Sequence, residues 1–429
     1  MTSFRACAAA LALFVSPEAL AQEDTPETTL LVDARILDVR TGETSRGAVA
    51  VTDGLIAYVG PRQGAPDGDT VIDLDGATLL PGLTDSHVHL IGRASFYGYQ
   101  SLSESTPRAA IMGVANAETT LKAGFTTVRN VGAPGYADVA LRDAIADGDV
   151  PGPRMLVSGP SIGITGGHCD SNLLPFEYAD TSEGVADGPW AVRAKVRQNV
   201  KYGADVIKFC ATGGVLSKGT VIGAQQFTLE EMSALVDEAH LLGLRVAAHA
   251  HGTDGIRTAL QAGVDSVEHA SLIDDESIQM AIDQGTYLSM DVYVSDFILY
   301  EGEAAGVLPE SLEKERQVGQ AQRERFQAAV EAGAKIAFGS DAGVYTHGVN
   351  GRQFALMTQW GMTPLQAIQA ATIGNADLFG LSDAIGAIEV GKAADLIAVE
   401  GDPLDNVREL EDVDFVMKDG WVYVDEISG

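Results

Sequence analysis

Both ends of the chain carry short apolar runs that alternate with polar residues and break at Asp/Gly turns. Residues 29–39 (TLLVDARILDV), 47–60 (GAVAVTDGLIAYVG) and 71–82 (VIDLDGATLLPG) have this texture, and it returns at 386–401 and 412–424. A period of two bounded by turn residues predicts β-strands. The two termini are therefore expected to combine into one small β-sandwich, from residues 22–81 and 385–429.

The middle of the chain, residues 82–384, has a different rhythm. Short apolar runs (LTDSHVHL, FTTVRNVG, PRMLVSG, DVIKFCATGG, RVAAHAHG, SVEHA, YLSMDVY and KIAFGSDAG) are separated by segments with helical periodicity. Gly124, Gly148, Gly243, Gly263, Gly285 and Gly333 stand where left-handed helix caps are needed. Thr228 with Glu231 reads as a capping box, and Thr363-Pro364 with Gln366 adds a proline at the first helical position. Eight strand–helix units predict a (β/α)8 TIM barrel, with chemistry at the C-terminal strand ends. A doubly wound sheet would want a glycine-rich phosphate loop after its first strand, and the sequence has none there.

Composition narrows the function. Of 429 residues, 46% are hydrophobic and 21% charged, as in a globular chain with a real core. With 28 basic and 60 acidic side chains the formal charge is −32, which argues against nucleic acid and anionic membranes as partners. Arg5, the apolar run at 6–15 and Ala19-Leu20-Ala21 resemble a cleavable signal peptide over residues 1–21. A periplasmic or secreted protein starting near Gln22 is expected. Cys7 would leave with the signal. Cys169 and Cys210 remain, free to pair or not in an oxidising compartment.

Candidate chemistry concentrates at the strand ends. His87 and His89 stand two apart on the first strand and so share a face, as half a metal site or as a hydrogen-bonded core pair. His249, His269 and Asp341 close the fifth, sixth and eighth strands, and Lys208 interrupts the apolar fourth. An ammonium beside divalent cations would be strongly destabilised. Lys208 is thus either in a buried salt bridge or a neutral amine that has taken up carbon dioxide as an anionic carbamate.

HVH after LLPGLTDS, the strand-four lysine, the two later histidines, FGSDAG and a C-terminal GKAADLIAV together resemble the metal-dependent amidohydrolase superfamily. IKFCATGGVLS and AAHAHG resemble its imidazolonepropionase-related branch, with its Xaa-Pro dipeptidases (prolidase-like) and ochratoxin-hydrolysing amidases. The resemblance implies two divalent metal ions, usually zinc. His87, His89 and Asp341 would hold one and His249 and His269 the other, with carboxylated Lys208 bridging them. It also implies hydrolysis of an amide whose leaving group is an amino acid, as in dipeptides or N-acyl amino acids such as ochratoxin A.

Within that reading Asp341 is the general acid/base. His251 shares a face with His249 and is a substrate or oxyanion contact, or an alternative ligand. His168, in the GITGGHCD loop, is a barrel-mouth candidate or an exposed loop residue. Tyr293 is an oxyanion donor or an aromatic cap on the core. His240 reads as a solvated helix residue and His347 as a pocket candidate. A cyclic-amide or lactone hydrolase would use the same centre, and a non-catalytic metal-containing binding protein is the alternative outside enzymes. The expected partner is a small amide or peptide, with a homo-oligomer also possible.

Overall fold

The computed structural model describes residues 27–94 and 96–427, so the proposed signal peptide and Cys7 lie outside the described residues. Among the described residues sixteen strands are formed. Eight belong to a mixed terminal sheet: β1 Thr28–Leu37, β2 Thr44–Thr52, β3 Leu55–Gly60, β4 Thr70–Asp73, β5 Thr78–Pro81, β14 Leu396–Val399, β15 Phe415–Lys418 and β16 Trp421–Asp425. Its order is β16-β15-β14-β5-β1-β2-β3, with β4 also on β1. The join between the termini is the antiparallel pair of β14 with β5, Leu396 opposite Pro81 and Val399 opposite Thr78. The two termini thus combine in one continuous hydrogen-bonded sheet, whose strands share a core of Leu31, Val49, Ile56, Leu79, Leu396 and Phe415. A shift of register in β1 between Leu31 and Ala34 lets that strand pair β4 with its first half and β5 with its second.

The central strands are all parallel. β6 Leu83–Val88, β7 Phe125–Asn130 and β8 Arg154–Val157 form one ladder; β9 Val206–Cys210, β10 Arg245–Ala250, β11 Ser266–His269, β12 Tyr287–Ser289 and β13 Ile336–Ala337 form another. Strands β6, β7, β9 and β11 are buried at every residue, as expected when helices cover a parallel sheet. Backbone bonds tie the ladders at both edges. Ile162 N donates to Lys208 O (2.8 Å) and Cys210 N to Ile162 O (2.9 Å). At the other edge Ser86 N donates to Phe338 O and Asp341 N to His87 O, each at 2.8 Å.

The helix punctuation follows the sequence. All six predicted cap glycines have positive φ, between 73° and 89°. Both capping boxes form, Thr228 accepting from Glu231 N and Thr363 from Gln366 N. The longest helix, Pro309–Ala332, follows β12 and lays Ser311, Glu315, Val318 and Gln322 along one buried stripe. Among the described residues no helix is long and apolar enough to cross a membrane.

Candidate metal centre and active site

The C-terminal ends of the parallel strands open into a cavity of ≈ 370 Å³. His87, His89, Lys208, His249, His269 and Asp341 all line it, together with His168 and His251. They arrive from the ends of β6, β9, β10 and β11, from the residues after β13 and, for His168, from the loop after β8; the edge bonds at Lys208 O and His87 O fix two of those ends in place. His269 and Asp341 hold left-handed backbone, φ 66° and 57°, which non-glycine residues adopt at a cost of roughly 1–3 kcal/mol. Such strain concentrates where side-chain aim matters.

Carboxylates grip the outer nitrogens of the rings. Glu268 Oε2 lies 2.9 Å from His87 Nδ1, and Asp291 Oδ1 lies 2.9 Å from His269 Nδ1. Ser271 Oγ lies 2.8 Å from His251 Nδ1. Each contact leaves the Nε2 of its ring for another partner, the arrangement that orients metal-binding imidazoles. Among the described residues three donor sets form within 4.8 Å: His87, His89 and Asp341; His249, His251 and His269; and His269, Asp291 and Asp341. Asp341 Oδ1 sits 3.4 Å from His87 Nε2 and 3.3 Å from His89 Nε2. Buried His249 Nε2 has no hydrogen-bond partner, so a donor aimed into the cavity is left unsatisfied. The donor chemistry, nitrogen-rich with one carboxylate, fits divalent transition metals.

The electrostatics agree at His87, His249 and His251; at His269 burial would lower the pKa, but the Asp291 carboxylate beside it wins and raises it. Burial, reinforced by the Lys208 charge, lowers the His87 pKa to about 4, and burial holds His249 and His251 well below the usual imidazole value. Neutral rings are the form that binds metal. Burial would raise Asp341, but the His87 and His89 rings beside it win and hold it below the ordinary carboxylate range. Burial lowers Lys208 to about 8 despite the Glu268 and Asp341 charges. Lys208 makes no salt bridge among the described residues, so the buried-ion-pair reading of it is not what the structure forms.

Glu268 is itself anchored by Arg129, whose Nη2 donates to Glu268 Oε1 at 2.8 Å while its Nε donates to Ser86 O at 2.7 Å. Asp291 Oδ1 also accepts from Gln322 Nε2 at 2.9 Å. Sequence reasoning missed Glu268 and Asp291 as site residues. Strand alternation puts Glu268 and His269 on opposite faces; the left-handed turn at His269 defeats it. The available signal was an Arg inside FTTVRN and a Glu inside SVEHA, two charges on otherwise apolar strands that had to meet.

The less certain positions sort themselves by geometry. His168 is half-buried at the cavity wall and stacks on His249, with ring centroids 4.1 Å apart; a Cβ at Gly214 would strike its ring at 2.3 Å. Cys169 is disulfide-bonded to Cys210, which fastens the His168 loop to the strand that carries Lys208. His251 stacks on His269 at 4.7 Å within reach of the second donor set, so both of its readings stand. Tyr293 is corrected: it does not line the cavity, its hydroxyl accepts from Arg352 Nη1 at 2.9 Å, and its ring meets Tyr345 edge-on. It is the aromatic cap. His347 is also outside the cavity lining, bonded through Nε2 to His89 O at 3.1 Å. His240 is not simply solvated, since its Nε2 lies 2.9 Å from Asp265 Oδ2.

The sequence pattern of the amidohydrolase family matches residues 78–423. The chain belongs to the amidohydrolase family. It is 32% identical to ochratoxinase of Aspergillus niger over 420 residues, covering 92% of this chain and 86% of that one. Imidazolonepropionase of Micrococcus luteus is 26% identical, with 81% and 86% covered. Among solved structures, a Xaa-Pro dipeptidase with methionine bound in its active site is 39% identical with a TM-score of 0.87, covering 93% of this chain and all (100%) of that one. The chain is thus a hydrolytic enzyme of the imidazolonepropionase-related branch, with the TIM-barrel-type fold and added sheet of its relatives. Members of the superfamily usually bind divalent metals, and this chain presents suitable His and Asp groups.

Proposed function

We propose that this amidohydrolase is an exported binuclear-metal enzyme that cleaves amide or peptide bonds to release an amino acid, from dipeptides of the Xaa-Pro type or N-acyl amino acids such as ochratoxin A. The observation that carries the proposal is the convergence of His87, His89, Lys208, His249, His269 and Asp341 on one cavity, with Glu268 and Asp291 behind two of the rings. The eight parallel strands read as one (β/α)8 barrel. The disulfide and the leader-like residues 1–21 support export to the periplasm or beyond. The relatives support the substrate class: one is named for ochratoxin and another for Xaa-Pro dipeptides.

His87, His89 and Asp341 would hold one ion and His249 with His269 the second, most simply zinc, with Lys208 as a carbamate between them. Bound metal supplies a water of lowered pKa and a polarised carbonyl. The protein's own residues do the rest. Asp341, kept ionised by its histidine neighbours, takes a proton as water adds to the scissile carbon and gives it to the departing nitrogen. That delivery matters because an amide anion is a very poor leaving group. His251 and His168 stand in the cavity where a ring N–H can donate to the developing oxyanion. The apolar wall of Phe96, Leu216, Ile298 and Val318 excludes water from the acyl and amine groups. The test is chelation and reconstitution. Stripping metal should abolish amino-acid release, and about two equivalents of zinc should restore it; full activity in the stripped protein would overturn the reading.

A further inference from the structure

One charged group in the cavity has no part in the chemistry above. Glu315 lies on the helix Pro309–Ala332, is 3% exposed, and lines the cavity. Its Oε1 accepts a short hydrogen bond from Ser295 Oγ. Among the described residues no lysine or arginine forms an ion pair with it; Arg323, on the same helix, is bonded to Asp296 Oδ1 at 2.6 Å and to Val292 O. Among the described residues no hydrogen bond reaches its Oε2. The space for the carboxyl is made by Gly319 one turn on, where a Cβ would sit 2.6 Å from Glu315 Oε1 and 2.8 Å from Ser295 Oγ. A glycine in mid-helix costs about 1 kcal/mol against alanine, so the pocket for this carboxyl is maintained at a loss.

A buried carboxylate without a cation is among the least favourable groups a protein can keep. It persists at a cavity wall when the counter-charge arrives with the ligand. Arg93 lines the same cavity, over the Phe96 ring at 4.8 Å, but its Nε lies 3.4 Å from Glu104 Oε1, so it already faces a carboxylate of its own. Apart from Lys208 and the histidines it is the cation of that lining. A buried carboxyl without a fixed cation, facing a cavity of ≈ 370 Å³, suits the ammonium end of a small ligand.

We propose that Glu315 recognises the α-ammonium group of an unblocked dipeptide and so selects aminoacyl substrates over N-acyl ones. The inference rests on the amide-hydrolase reading and divides its two substrate classes. Burial, opposed by the Ser295 bond, lifts the Glu315 pKa to about 7, as expected of a carboxyl still waiting for its cation.

The test compares alanyl-proline and alanyl-phenylalanine with their N-acetyl forms, on the wild-type holoenzyme and Glu315→Gln. Gln keeps the shape and the Ser295 partner. A charge-assisted hydrogen bond lost at a buried site predicts a fall of about 10- to 100-fold in kcat/KM on the free-amine dipeptides, mostly through KM. The N-acetyl forms should change by no more than about two- to threefold. Equal losses on both forms, or a wild type without preference for the free amine, would overturn the proposal while leaving amide hydrolysis intact. If the wild type turned over none of these amides, the functional reading would fail first. Calorimetric binding of a phosphinic dipeptide isostere and its N-acetyl counterpart would then still decide the role of Glu315. Tighter binding of the free amine that disappears in Glu315→Gln supports it; equal binding refutes it.

Discussion

Replacing Arg129 by methionine isolates what the buried charge behind the metal site contributes. The Arg129 side chain is 2% exposed and Glu268 is 0% exposed. Arg129 donates to Glu268 at 2.8 Å, to Ser266 Oγ at 3.1 Å and to Ser86 O at 2.7 Å. Burial would raise Glu268, yet Arg129 first and His87 second hold it well below the usual carboxylate value. Methionine fills most of the arginine stem's volume but leaves that carboxylate unpaired. Breaking one side of a buried ion pair costs about 3–5 kcal/mol. Removing both partners, as in Arg129→Met with Glu268→Leu, should recover most of that stability, because no uncompensated charge remains. The double variant also strips His87 Nδ1 of its acceptor and should weaken metal binding by about 10- to 100-fold. Urea unfolding of the metal-free proteins at pH 7 reads the first effect, and competitive chelator titration reads the second. A single variant within about 1 kcal/mol of wild type, or a double variant no more stable than the single, would refute the reasoning.

Other predictions follow from the same geometry. Asp341→Asn should retain substrate affinity within a few-fold while kcat falls by about 100-fold or more, the scale of general acid–base catalysis; steady-state kinetics on a released amino acid checks it. The Glu315 carboxyl is raised from 4.5 to about 7, so its stabilising proton is present at low pH and lost as pH climbs through 7. Wild type should therefore lose up to about 3 kcal/mol relative to Glu315→Gln between pH 4 and pH 8.5, and a pH-independent difference in urea midpoints contradicts this. Cys169→Ser with Cys210→Ser opens a bridge between residues 41 apart and should cost about 2–4 kcal/mol, with the His168 loop becoming the more protease-sensitive; thermal scans and limited proteolysis test both. With a formal charge of −32, kcat/KM for carboxylate-bearing substrates should rise with moderate salt as long-range repulsion is screened, and a flat or falling profile would refute that picture.

Much of the architecture was legible because each element carried a local signal. The glycine caps and the two capping boxes mark the helices, and the strand ends carry the histidines, so the metal-ligand candidates could be named before any coordinates. Two kinds of residue were hidden. Glu268 and His269 both reach the site because His269 adopts left-handed backbone, which strand alternation does not foresee. Glu315 and Gln322 belong to a helix that looks amphipathic in an ordinary way, and only packing shows that part of its buried stripe faces a cavity instead of core. Tyr293 failed for the reverse reason. It ends the right strand, but Arg352 and Tyr345 claim its hydroxyl and ring. The terminal strands were legible from alternation, but not their pairing order, since alternation reports a strand's faces and not its neighbours.

The most direct test of the account is a mass-spectrometric hydrolysis panel on zinc-loaded protein. It would span Xaa-Pro and other dipeptides, N-acyl-phenylalanines including ochratoxin A, and a set of lactones and cyclic amides, with Asp341→Asn as control. The account predicts free amino acids released by the wild type and not by the variant. Ring-opened products alone would keep the metal chemistry and overturn the substrate class, and no turnover of any amide would contradict the account itself.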